Sequence, residues 1–97
     1  MRVLITVKDN RVSGFEEADK LLVYNAEKGV VEKNLEKPAD ISLLEEMVEE
    51  YDPWLLFTSS ISEDNSDVIE EIGVKVIVTR ARSIEELIDE YFTGAGK

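Results

Sequence analysis

The sequence predicts one α/β domain with the element order βββαβαβα, and three observations carry that prediction. Short apolar runs alternate with amphipathic stretches over the whole chain. Its second half reads strand–helix–strand–helix, the pattern of parallel strands covered by helices. A glycine-containing turn joins two strands in the first half into a hairpin. Together these give a mixed five-stranded sheet with one antiparallel strand. Strands one, four and five are expected to run parallel at its centre.

Each element has its own signal. Residues 3–7 (VLITV) are a nearly continuous apolar run, as in a strand buried on both faces. The turn-rich segment 9–14 follows. Residues 21–24 form a second strand, and residues 30–35 a third that alternates enough to suggest one solvated face. Pro38-Ala39-Asp40 leads into a helix within 41–51, with Leu44, Met47, Val48 and Tyr51 inward and Ser42 with Glu45 as a capping box. Asp52-Pro53 stops it before a fourth strand, 54–58, whose Trp54 is expected to pack against a helix. A second helix spans 63–72, with Val68, Ile69 and Ile72 inward and Gly73 as its stop. Residues 74–79 are the fifth strand. A third helix starts at a second capping box, Ser83 with Glu86. It buries Ile84, Leu87, Ile88 and Tyr91, and ends at Gly94.

Composition narrows the chemistry. The 97 residues hold 22 acids against 11 bases, a net charge of −11, with no cysteine and no histidine. At 43% apolar and 34% charged the chain can bury a core. Without thiols there are no disulfides, no thiolate nucleophile and no thiolate metal site. Without imidazole the usual catalytic triad and His-ligated metals go too. The charge opposes binding to nucleic acid and to an anionic membrane surface. No apolar run approaches the ~20 residues of a bilayer span, and no signal peptide is visible, so a cytoplasmic protein is expected. Missing glutamine, cysteine and histidine beside abundant Glu, Lys, Val and Ile suggest a thermophile.

The charge is unevenly placed. Residues 1–40 carry eight acids and seven bases, and residues 73–97 carry four of each. Residues 41–72 hold the other ten acids and no base. Such a run is either solvated helix surface or a docking face for a basic protein partner.

The order of several motifs resembles the dinitrogenase iron–molybdenum cofactor biosynthesis family of NifX-like and NifB-like proteins. The motifs are Ser13-Gly14-Phe15-Glu16-Glu17-Ala18-Asp19, then residues 21–24 and Gly29, then Tyr51-Asp52-Pro53-Trp54-Leu55-Leu56-Phe57-Thr58-Ser59. Ile72-Gly73-Val74-Lys75-Val76 and the segment from Ser83-Ile84-Glu85-Glu86-Leu87 to Gly94 complete it. The resemblance runs from Arg2 to about Gly94, so that residues 1–97 read as a single NifX/NifB-like domain. It implies a ribonuclease H-like three-layer fold and a carrier role for an iron–sulfur-type cluster. Members of that family often offer Cys or His to a cluster, and this chain has neither.

Open sheets of this kind bind ligands beyond the carboxyl ends of their strands. That rim is built here from Lys8, Asp9, Thr58, Ser59, Ser60, Arg80, Ala81 and Arg82. One reading is an anion site of two guanidiniums and several hydroxyls beside the helix starts at Ser62 and Ser83. The other has both serines as plain N-caps and both arginines paired with helix acids. Ser13, Gly14 and Phe15 are either a backbone approach with an aromatic pocket wall, or a turn followed by a core aromatic. A two-metal nuclease needs a carboxylate on the first strand, which has none, although Asp9, Asp19 and Asp52 flank strands. The expectation is a binding protein rather than an enzyme, for an anionic small ligand or metallocluster. The alternative is an acidic interaction module for a basic partner.

Overall fold

The computed structural model describes residues 1–93, apart from the side chain of Thr93. Six strands, β1 (Arg2–Lys8), β2 (Arg11–Val12), β3 (Lys20–Asn25), β4 (Val30–Glu36), β5 (Pro53–Thr58) and β6 (Lys75–Val78), form one sheet. Its main path runs β4-β3-β1-β5-β6, with β2 attached to β1. The β1–β5 and β5–β6 pairs are parallel, while β3 is antiparallel to both of its neighbours. The expected mixed five-stranded sheet with one antiparallel strand is therefore present, with a short sixth strand added. The three parallel strands reach from the centre to one edge, since β6 is an edge strand rather than a central one.

Helices α1 (Leu44–Tyr51), α2 (Glu63–Glu71) and α3 (Ile84–Ile88) complete the three layers. Alternation along β1 assigns the faces. Val3, Ile5 and Val7 pack with Phe57, Leu87 and Tyr24 beneath α3. Leu4 packs with Leu56, Leu44 and Ile69 beneath α1 and α2. Both faces of β1 are buried, which is why its sequence reads as an unbroken apolar run.

Four local expectations change. Helix α1 is preceded by a 3-10 turn, Ile41–Leu43, capped by Asp40, whose carboxylate accepts from the Ser42 N–H at 3.0 Å. That bond holds the Asp40 carboxyl below its ordinary pKa, and the Ser42–Glu45 box does not form the cap. Trp54 stands 63% exposed at the amino end of β5 instead of packing against a helix. It borders a hollow of about 210 Å³ shared with Met1, Arg2 and Tyr51. On α2, Ile69 is fully buried, but Val68 faces outward.

The chain after α3 widens into a π-type turn, Asp89–Thr93. A wider turn shifts the inward position by one residue. Phe92 thus replaces Tyr91 in the core, its ring 5.4 Å from Tyr24 and 5.7 Å from Phe57. Tyr91 is 40% exposed, its ring 4.8 Å from Phe57. The expected stop at Gly94 lies outside the described residues.

Candidate functional site

The chain leaves β1 through Asp9 and Asn10, whose φ values of 52° and 63° match a two-residue hairpin turn. It returns as β2, with Val12 opposite Val7 and Arg11 opposite Lys8. Because Val7 also pairs with Lys20 of β3, β2 must lie on the edge of β1 that faces β5. It therefore occupies the crevice where the strand order reverses, the position from which ligands are usually gripped in open sheets. On its far side the Val12 N–H donates to the Arg82 carbonyl at 2.9 Å. The hairpin thus ties the end of β1 to the loop that follows β6.

A buried hydroxyl network fixes this plug. The Thr6 hydroxyl donates to the Ser13 carbonyl at 2.6 Å, and the Ser59 N–H donates to the same oxygen at 3.0 Å. The Thr58 hydroxyl lies 3.1 Å from the Ser13 carbonyl and 2.9 Å from that of Ser60, and it sits 3.0 Å from Thr6 Oγ1. Thr6 and Thr58 are fully buried. Thr58, expected at the ligand rim, is instead sealed beneath it, and its bonds hold the 13–15 and 58–60 segments together. Both threonines read as ordinary β-branched strand residues, so nothing in their spacing marked the network.

Gly14 is buried against the 58–60 segment. A Cβ at this position would meet Ser60 Oγ at 2.5 Å. The Phe15 N–H donates to the Ser60 carbonyl at 2.7 Å, which turns the Phe15 ring into the core beneath α1 and α2. Phe15 also walls a hollow of about 460 Å³ with Glu16, Lys37 and Asn65. Lys37 sits 4.7 Å from the centre of the Phe15 ring and donates to the Phe15 carbonyl. Burial pulls its pKa down, partly offset by the Glu16 charge.

The start of α2 is already occupied by an anion of the chain's own. Ser62 caps the helix, its hydroxyl accepting from the Asn65 N–H at 3.2 Å. The Glu16 carboxylate accepts from the Ser62 N–H at 3.0 Å and from the Asn65 side-chain amide at 2.7 Å. Burial alone would raise the Glu16 pKa, yet these bonds outweigh it and hold the carboxyl below its ordinary range. Glu16 thus supplies from a distant loop the acid of a capping box. At α3 the Ser83 hydroxyl accepts from the Glu86 N–H at 3.0 Å, and Glu86 reaches back to the Arg82 N–H at 2.7 Å. Both serines are N-caps, as the structural reading of the sequence expected.

The arginines depart from that reading. Arg80 and Arg82 flank buried Ala81 and are exposed. Among the described residues neither side chain has an ion-pair partner, and the same holds for Lys8 and Arg11. By contrast Arg2 bonds Glu32 and Lys20 bonds Glu36, each at 2.6 Å. Lys8 and Arg11 face one another across the hairpin, a like-charge placement that costs stability. They line a hollow of about 530 Å³ together with Ser13, Gly14 and Ser59. Asp9 and Glu17 line it too, so the hollow itself is not purely cationic. Of the expected residues, Ser13 and Ser59 meet here and Phe15 opens onto the other hollow, while the backbone of Arg82 is tied to the hairpin through Val12 and neither Arg80 nor Arg82 lines the hollow. The sequence reading missed Arg11, which the Asp9-Asn10 turn signal would have brought beside Lys8.

The carboxylates do not form a metal site. Asp9 lies at the carboxyl end of β1, whereas Asp52, with φ 49°, ends α1 beside the amino end of β5. No group of three potential ligands occurs among the described residues. Nor is any helix there long and apolar enough to cross a membrane.

Several solved structures share this architecture. The protein PH0822 aligns with a TM-score of 0.75 at 21% identity, over 97% of this chain and 92% of its own. A "putative dinitrogenase" of Methanocaldococcus jannaschii gives 0.74 at 19% identity, over 97% and 89%. A "putative NifB protein" of Thermotoga, described as belonging to the DUF35 family, gives 0.72 at 24% identity, over 96% and 88%. No family model and no curated protein matches the sequence. The chain thus has the fold of proteins described as dinitrogenase-related and NifB-like, in agreement with the group that its motif order resembles.

Proposed function

We propose that the chain is a non-enzymatic binding protein that carries a small anionic ligand at the carboxyl ends of its strands. The observation that supports this most is that Lys8 and Arg11 face one another at the end of β1, that Arg80 and Arg82 lie in the loop after β6 that the Val12–Arg82 bond ties to them, and that none of the four has an ion-pair partner among the described residues. Acids outnumber bases 22 to 11, and Asp9 and Glu17 line the same hollow, so cations at this end that form no ion pair among the described residues are available to a ligand. The like-charge pair Lys8–Arg11 is the kind of local cost that functional sites retain.

The donor chemistry sets the mode of binding. A sulfide-bridged iron cluster is normally held by thiolates or imidazoles, and the chain has no Cys and no His. A metallocluster brought here as cargo is therefore gripped as a whole anion, by guanidinium, ammonium and hydroxyl groups, rather than through bonds to its metals. The same hydrogen-bonding set suits a compact phosphate-type anion.

Calorimetric titration with tripolyphosphate tests this reading. The intact protein binds it, and the Arg80→Ala/Arg82→Ala variant loses about tenfold in affinity, as expected for two charge-assisted contacts. Equal affinity in both proteins, or no heat from either, removes the rim from consideration. Anaerobic incubation with iron and sulfide should leave the protein colourless. A charge-transfer band would show that a cluster is coordinated after all.

A further inference from the structure

The acidic side of the molecule carries a separate feature. Packed helices stand about 8–10 Å apart and strands about 4.8 Å, so two helices cover roughly four strands. The main sheet has five, and α1 and α2 leave its β4 margin only partly covered. A groove of about 370 Å³ runs there between β4 and α1. Leu35 of β4 and Leu43, Met47 and Tyr51 from α1 and its entrance form its apolar surface. The apolar stripe of α1 is unfinished: only Leu44 is fully buried, and Leu43 is 49% exposed.

Charge surrounds this surface on both sides. Glu36 stands on β4, while Glu46 and Glu50 stand one turn apart on α1. Lys20 is paired with Glu36, and Lys33 lies two residues before Leu35 on the same edge strand. The whole of residues 41–72 contributes ten acids and no base. Phosphate backbones and anionic membranes are repelled by such a rim. A second copy of this chain placed groove to groove would bring like charges together.

We infer that the groove docks a basic amphipathic segment of a partner protein. Helix α1 has eight residues and is about 12 Å long, so the matching segment is a helix of two to three turns. Its apolar side chains sit on Leu35, Leu43 and Met47, and flanking lysines or arginines meet Glu46 and Glu50. This surface is distinct from the cationic rim and does not depend on it.

The test is fluorescence anisotropy with a fluorescein-labelled peptide of about 15 residues, leucine and lysine at helical spacing, beside a scrambled peptide of the same composition. The ordered peptide should bind at least about tenfold more tightly than the scrambled one. Glu46→Lys/Glu50→Lys should weaken it about tenfold or more, whereas Glu70→Lys/Glu71→Lys, the same charge change on α2, should cost less than about threefold. Leu43→Ser, at an exposed position that leaves the core intact, should weaken only the ordered peptide. Equal binding of both peptides, or equal loss from the two charge reversals, would reduce the effect to net charge and overturn the inference. A peptide-free dimer dissociated by Leu43→Ser would overturn it as well, by assigning the groove to a second copy.

Discussion

The carboxyl-end rim and the α1/α2 face are opposites in charge, and they are built by different means. The rim is made of loops. Its cations are placed by a two-residue strand, by backbone bonds such as Val12–Arg82, and by buried hydroxyls beneath them. The acidic face is made of regular helices, and its charges follow from helical periodicity alone. Position on the rim thus depends on a few specific bonds, whereas position on the acidic face is spread over many small ones. The rim should therefore be fragile to single substitutions that leave its charge unchanged, and the helical face should tolerate them.

Thr58→Val is the strongest way to break that contrast. It keeps the shape but removes a buried hydroxyl that lies within reach of Ser13, Ser60 and Thr6. A loss of about 1 kcal/mol in urea denaturation is expected, because the one hydroxyl proton shared between the Ser13 and Ser60 carbonyls is removed from a buried network. Tripolyphosphate affinity should fall with it, although no charge has changed. A fully stable Thr58→Val protein would mean that the network does not hold the rim.

Glu16→Ala comes next, because Glu16 joins the rim loop to the first turn of α2. Loss of a cap of this kind costs about 1 kcal/mol at neutral pH. The sign of its pH dependence follows from the lowered pKa of Glu16. A carboxylate bound more tightly in the folded state stabilises above its unfolded pKa, and that contribution disappears as pH falls through the folded value. The gap between intact protein and Glu16→Ala should accordingly be widest at neutral pH and close in acid. A gap that widens in acid contradicts the assignment.

The smallest effect has the opposite direction. Lys8→Ala/Arg11→Ala relieves a cross-strand repulsion, so the melting temperature should stay level or rise by roughly 1–3 °C at low salt. Added salt should shrink that rise. A clear loss of stability would show that the two cations have acid partners in solution.

How much of this was legible in the sequence differs between the same two regions. The order of helices and strands, the one antiparallel strand, and the caps at Ser62 and Ser83 all follow local rules that tertiary contacts did not override. Among the helices, α3 on the opposite face included, the errors were shifts of one or two residues. Asp40 caps in place of Ser42, Val68 turns outward, and Phe92 takes the place of Tyr91 because of a wider turn. These are competitions between neighbouring residues for one geometric role. At the rim the errors concern what a residue does. Thr58 looked available and is sealed beneath the rim. The arginines were weighed as ion-paired and have no ion-pair partner among the described residues. Those outcomes rest on contacts such as Thr58 to Ser13, 45 residues apart, which no local pattern encodes.

The most direct test of a rim held ready for an anion is an amide chemical-shift titration of the labelled protein with tripolyphosphate. The shifts should concentrate in residues 8–14, 59–60 and 79–83, saturate together, and vanish in Arg80→Ala/Arg82→Ala. Equal shifts around the scattered bases Lys28, Lys33 and Lys75, or no saturable shift anywhere, would contradict it.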